Sequence, residues 1–189
     1  MATFGSEVNG VFDDGLGGAG KFGRLFQLTE DGHVTKISAY LTGNGVRNAK
    51  AGIYSDNATQ PNAPLGNSSE VVVPNGAGWV DFTVDINLTA GWYWLTIQFE
   101  GDPPQVGYVA ALGGTCAWNY QGWNGFSNPF GAHTDNTWTF SIHADYTPSG
   151  GGVTVKKGSS LNATMMQMLN SRMLYSACNR FPKLKARTF

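Results

Sequence analysis

Charge is what this sequence has least of. Asp, Glu, Lys and Arg make up 13% of its 189 residues, against roughly 25% in an ordinary soluble domain. With 41% hydrophobic residues beside them, the chain has ample material for a core, which excludes disorder over most of its length. Cysteine is almost absent. Cys116 and Cys178 make neither a disulfide framework nor a metal-ligand spacing, so two free thiols are expected, with a bridge between them as the alternative. No stretch approaches the ~18 apolar residues of a membrane span, so no membrane partner is expected. The start, MATFGSEVNGVFDDGLGG, has neither the basic opening nor the apolar run of a secretory leader, so synthesis in a cytoplasm is expected.

Signatures of catalysis are missing as well. There is no serine nucleophile elbow and no phosphate-cradling glycine loop. His33, His133 and His143 lie far apart, with no spacing that brings two imidazoles to one metal. Asp13 and Asp14 precede a glycine run, but no spaced third or fourth oxygen ligand follows, so a solvated acidic loop is expected rather than a calcium site. Glycoside hydrolysis requires two carboxylates flanking a bond. Glu100 and Asp102 fall at a strand end, and Asp81 and Asp85 alternate out from an apolar row, the pattern of a wet sheet face. The expectation is no enzyme, no cofactor and no metal.

What is abundant is glycine, 26 residues, and aromatics, 13%. The stretch AGWYWLTIQF, residues 90–99, organises the rest. Tyr93, Leu95, Ile97 and Phe99 alternate with Trp92, Trp94, Thr96 and Gln98, a period of two that places one apolar row on one face. Two tryptophans on the other face mean that this face is covered too, by a loop, another chain or a ligand. Such a strand belongs in the middle of a sheet.

Further strands are expected at 22–28, 34–42, 49–55, 69–73, 79–86, 106–112, 115–120 and 137–146. Ile37, Ala39 and Leu41 share one inward face; so do Val80, Phe82, Val84 and Ile86; so do Trp138, Phe140, Ile142, Ala144 and Tyr146. Asp31-Gly32 and Thr42-Gly43-Asn44-Gly45 supply turn chemistry. Pro61, Pro64, Pro74, Pro103 and Pro104 are expected between strands, where a missing N–H breaks no ladder. Eight or nine short strands with no helix between them pair antiparallel, and two packed sheets bury them best. The expected fold is an all-β antiparallel sandwich of jelly-roll type, residues 22–147, with an arm at 1–21 and a tail at 148–189.

The blocks VTKISAYLTGNGVRNAKAGIYSDNATQPNAPL, GWVDFTVDINLTAGWYWLTIQF and NPFGAHTDNTWTFSIHADYT resemble a β-sandwich domain family of surface-anchored and secreted bacterial and archaeal proteins and of some phage structural proteins. The resemblance covers about residues 22–147. It implies a binding or structural module with no catalytic residues to carry over. The tail is an addition to that pattern.

Charge is divided sharply. Residues 1–148 hold all 13 acids, Glu7 to Asp145, against five bases, a balance of −8; residues 149–189 hold seven bases and no acid. After the hinge Pro148-Ser149-Gly150-Gly151-Gly152, Ser159 or Ser160 can cap a helix from Leu161 to about Asn179 that Pro182 stops. Leu161, Met165, Met168, Leu169 and Met173 give it an apolar side, and Arg180, Lys183, Lys185 and Arg187 make its end basic. An apolar helix of this kind needs a partner. The expected partners are other copies of the chain or other virion proteins; nucleic acid is disfavoured by the −8 body. Trp118, Tyr120, Trp123 and Phe126, in CAWNYQGWNGFSNPF, are the candidate ligand platform, because sugar rings stack on flat aromatic faces. Filling of the sandwich end or of a subunit interface by the same rings is the competing expectation. The functional expectation is a phage structural, decoration or adhesion protein located in the virion and made in the host cytoplasm, with a carbohydrate-binding module as the alternative.

Overall fold

The computed structural model describes residues 1–12, 18–102, 104–110, 115–120, 122–123 and 125–150. Among them it is all-β. The strands are β1 (Ala2–Gly5), β2 (Lys21–Leu28), β3 (Gly32–Gly43), β4 (Asn48–Asn57), β5 (Gln60–Asn67), β6 (Val71–Val72), β7 (Gly76–Leu88), β8 (Gly91–Phe99), β9 (Gln105–Val106), β10 (Tyr108–Val109), β11 (Cys116–Asn119), β12 (Thr134–Asn136), β13 (Thr139–Phe140) and β14 (Ile142–Pro148). Every pairing is antiparallel. One sheet runs β1-β14-β3-β7 with β9 also on β3. The larger runs β12-β11-β2-β8-β4-β5 with β6 also on β4.

The two sheets bury one shared core, which makes the architecture a β-sandwich. Ala144, Ile37 and Phe82 stand in register across β14, β3 and β7. Phe22, Ile97 and Ala51 do the same across β2, β8 and β4. All six belong to the same buried cluster. The period-two rows expected at Ile37–Leu41 and Val80–Ile86 face it, and so do Leu95, Ile97 and Phe99 of β8. β8 is indeed interior to its sheet, between β2 and β4.

Four expectations need correction. Residues 1–21 are not simply an arm, because β1 pairs with β14 and Lys21 opens β2, while Phe4 anchors the stretch in the core. Pro61 and Pro64 lie within a strand, β5, opposite Asp56 and Tyr54. They are tolerated because β5 is the edge of its sheet and its pairing with β4 is bulged on both sides of Tyr54. The β4–β5 turn carries no local signal either: it uses Ala58 and Thr59 at φ 52° and 66°, with no glycine to announce it. The segments read as strands at 69–73 and 106–112 shrink to the two-residue strands β6, β9 and β10. The run 137–146 is split at Ser141, because Phe140 pairs with Tyr108 whereas Ile142 pairs with Ala39. Its alternation survives the change of partner, with Phe140, Ile142, Ala144 and Tyr146 all in the core.

Candidate functional site

The outer face of the larger sheet is built in rows. Asn119, Lys21, Gln98 and Lys50 are cross-strand neighbours on β11, β2, β8 and β4. The next outward-facing row is Ala117, Gly23, Thr96 and Gly52, followed by Leu25, Trp94 and Tyr54. The middle row is small, so it forms a trough between a polar row and an aromatic one. Into it fit Phe126 and Phe130 from the segment that joins β11 to β12. Phe126 lies over Gly52, where a Cβ would come within 2.9 Å of its ring. Phe130 packs edge-on against Tyr54, centroids 5.2 Å apart, and is fully buried with Tyr54, Trp94 and Ala117 in a second apolar cluster. The cover expected over the second face of β8 is therefore a loop of the same chain. It shields Trp94 and leaves Trp92 51% exposed.

Hydrogen bonds from the sheet fasten this loop. Tyr54 Oη donates to the Ser127 carbonyl (2.9 Å) and Gln98 Nε2 to the Gly122 carbonyl (2.7 Å). The Phe130 carbonyl accepts from Asn119 Nδ2 (2.8 Å) and from Lys21 Nζ (3.1 Å). Lys21 Nζ also donates to Ser127 Oγ at 2.6 Å and lies 4.8 Å from the centre of the Phe130 ring. Lys21 is 1% exposed. Its partners are neutral, so burial pulls its pKa down to about 8.

Where the loop leaves and re-enters the sheet, its two ends frame an open depression of about 330 Å³. It is lined by Trp118, Asn119, Tyr120, Ala132, His133 and Thr134. Trp118 is stacked on Trp138, centroids 5.5 Å apart and planes 8° from parallel. Tyr120 is 57% exposed and meets Phe22 edge-on. Burial, and then the charge of Asp102, raises the Tyr120 pKa, so the phenol stays protonated at neutral pH. His133 Nδ1 contacts the Gly131 carbonyl at 2.7 Å, and Nε2 contacts Gln60 Oε1 and, at 3.3 Å, Asp135 Oδ1. The depression thus offers an aromatic face, a phenol and a hydroxyl beside an imidazole whose two nitrogens are held by Gly131, Gln60 and Asp135, a mixture that suits a polyhydroxylated ligand.

The four platform residues are divided between two environments. Trp118 and Tyr120 line the depression. Trp123 lies under Lys50 Nζ, 4.6 Å from its ring centre, and Lys50 pairs with Glu70 at 3.0 Å. Phe126 packs on Gly52 and Tyr54. These last two hold the loop to the sheet. Asn119, Ala132, His133 and Thr134 join the site only through the fold. His133 is far from the other histidines in sequence, and its convergence with Tyr120 depends on the β11–β12 pairing, which puts Trp118 opposite Thr134.

The outer face of the smaller sheet is different. Lys36 Nζ bridges Asp145 (3.0 Å) and Asp81 (3.4 Å), Ser38 Oγ donates to Asp81 (2.6 Å), and His33 pairs with Asp85 (2.6 Å). Phe12, Tyr40, Trp79 and His143 form a run of contacting rings beside them. Among the described residues no three His, Cys, Asp or Glu side chains converge as a metal site. Asp13 and Asp14, Cys178, and the residues from Leu161 to Arg187 expected to serve assembly lie outside the described residues. No protein-family profile, characterised protein or solved structure matches the chain.

Proposed function

We propose that this protein is a non-enzymatic adhesion or decoration module that binds a glycan in the Trp118–Tyr120–His133 depression and is displayed by a virus particle, most simply a bacteriophage. The observation that carries the glycan reading is the exposed Tyr120 ring at the mouth of a depression edged by Trp118, His133 and Thr134. Sugar faces stack on such rings while ring hydroxyls meet the polar edge. The supporting test is titration calorimetry of the full chain against methyl glycosides of glucose, galactose, mannose and N-acetylglucosamine and their short oligomers. Binding by the wild type should fall about two- to tenfold in Tyr120→Ala, the loss of one stacking contact. Absence of heat across the whole set would remove the reading.

A second reading, a purely structural part of the particle, is favoured by the charge division at residue 148. It draws on the resemblance to phage sandwich domains and on the apolar periodicity of the sequence at 161–179, which is expected to join copies or other virion proteins. Light-scattering mass tests it. An oligomeric full chain and a monomeric chain ending at Gly150 support assembly through the tail, whereas two monomers count against it.

A further inference from the structure

Among the described residues, Lys21 has no counter-charge. From β11 it is faced by Asn119, from β8 by Gln98, from β4 by Tyr54 and, one strand further along its row, by Lys50. From the loop it is faced by Ser127 and Phe130, with His133 behind the Phe130 ring at 5.6 Å. Among the described residues no carboxylate is hydrogen-bonded to it. The carboxamide oxygens of Asn119 and Gln98, buried without a donor of their own, are in the same row. A methionine would span the same distance without the penalty of a buried ammonium. Packing therefore does not explain this lysine.

Its contacts do. Phe130 is the joint between the sheet and the far lip of the depression: its carbonyl takes Lys21 Nζ and Asn119 Nδ2, its N–H donates to the Asn62 carbonyl, and two residues later the chain forms the lip at Ala132, His133 and Thr134. We propose that Lys21 is a positioning residue for the glycan depression, holding the Phe130–Thr134 lip in its ligand-ready place through its protonated amine. The proposal rests on the glycan reading for its purpose, but its geometry stands by itself. An ammonium donates about twice as strongly as a neutral amine, so loss of the proton loosens the lip without removing the contact. The switch belongs at about pH 8, where burial has moved this amine.

The test is a pH titration from 7 to 10 of the full chain, following the backbone and ring resonances of His133 and Thr134 by NMR. The expected result is a common step centred near pH 8 that is absent in Lys21→Met, and that moves to lower pH in Ser127→Ala, which removes one acceptor. Resonances of Thr134 that ignore pH in the wild type, or that move identically in Lys21→Met, overturn the proposal. Calorimetry with the methyl glycosides is run in parallel. Lys21→Met should weaken binding about tenfold, as expected for one charge-assisted hydrogen bond of preorganisation, and should flatten its pH profile. If the lip moves as expected and no glycoside binds, the glycan reading fails and the positioning role survives; if a glycoside binds equally to both forms, the reverse holds.

Discussion

Lys21 and Lys36 each project from the outer face of one of the two sheets, and their surroundings have little in common. Lys36 stands in the open between Asp81 and Asp145, and its hydrogen bond to Asp145 raises its pKa. Lys21 lies beneath Ser127 and Phe130, whose neutral oxygens are its acceptors among the described residues, and burial lowers its pKa. The difference comes from what covers each face. A sheet face built of alternating Asp, Lys, Ser and His can stay wet and neutralise its charges pairwise. A face with a trough of Ala117, Gly23, Thr96 and Gly52 beside Trp94 and Tyr54 leaves apolar surface that a loop must close. Closing it drew a lysine indoors, and the same loop shapes the Trp118–Tyr120–His133 depression.

The two faces separate most widely in their tryptophans. Trp94→Ala should destabilise the protein by about 3–5 kcal/mol, the usual loss for a fully buried tryptophan. Trp79→Ala, from the half-buried ring on the other face, should lose less than half of that. Urea unfolding of both variants makes the comparison, and equal losses would mean that the loop does not seal its face.

The lysines come next. Folded Lys21 releases its proton at about pH 8, whereas an unfolded chain holds it until about 10.5. The unfolded state therefore binds more protons between those values, and stability should rise with pH across that window. Lys21→Met should lack this component and should be the more stable protein at pH 7, by ~1–3 kcal/mol before the lost loop contacts are counted. Denaturation midpoints at several pH values from 7 to 10.5 read this directly; parallel curves for the two proteins would contradict the buried ammonium.

Lys36 has the opposite sign. Its raised pKa contributes stability below the unfolded value of 10.5 that is lost as pH climbs through the folded one. Because the side chain is 36% exposed, Lys36→Met should cost only about 0.2–1 kcal/mol, and less in high salt. A larger loss that salt leaves unchanged would show that the Asp81–Lys36–Asp145 network is not solvent-screened.

Much of the sandwich was legible in the residues themselves. The period-two rows of β3, β7, β8 and β14 needed no partner to be read, because burial on one face imposes alternation on any half-exposed strand. The tryptophans of AGWYWLTIQF announced a covered second face for the same reason. Legibility failed at β1, where four residues carry too little pattern, and at β5, where two prolines and a turn of Ala58 and Thr59 imitate a loop. Of the aromatic platform, Trp118 and Tyr120 were placed with a shared surface, and Trp123 and Phe126 were not. Residues eight apart in a non-repeating loop have no fixed relation until the loop is folded back.

The sequence by itself determined which faces are apolar, that the strands pair antiparallel, and that charge divides at residue 148, since composition and short-range period carry all three. Only the tertiary structure decided that Lys21 meets Asn119 and Gln98 in one row, that Phe130 carries the lip bearing His133, and that Lys36 rather than Lys21 finds carboxylates. Those outcomes depend on strand order and register between segments up to 109 residues apart, and no local preference of the backbone encodes a distance of that kind.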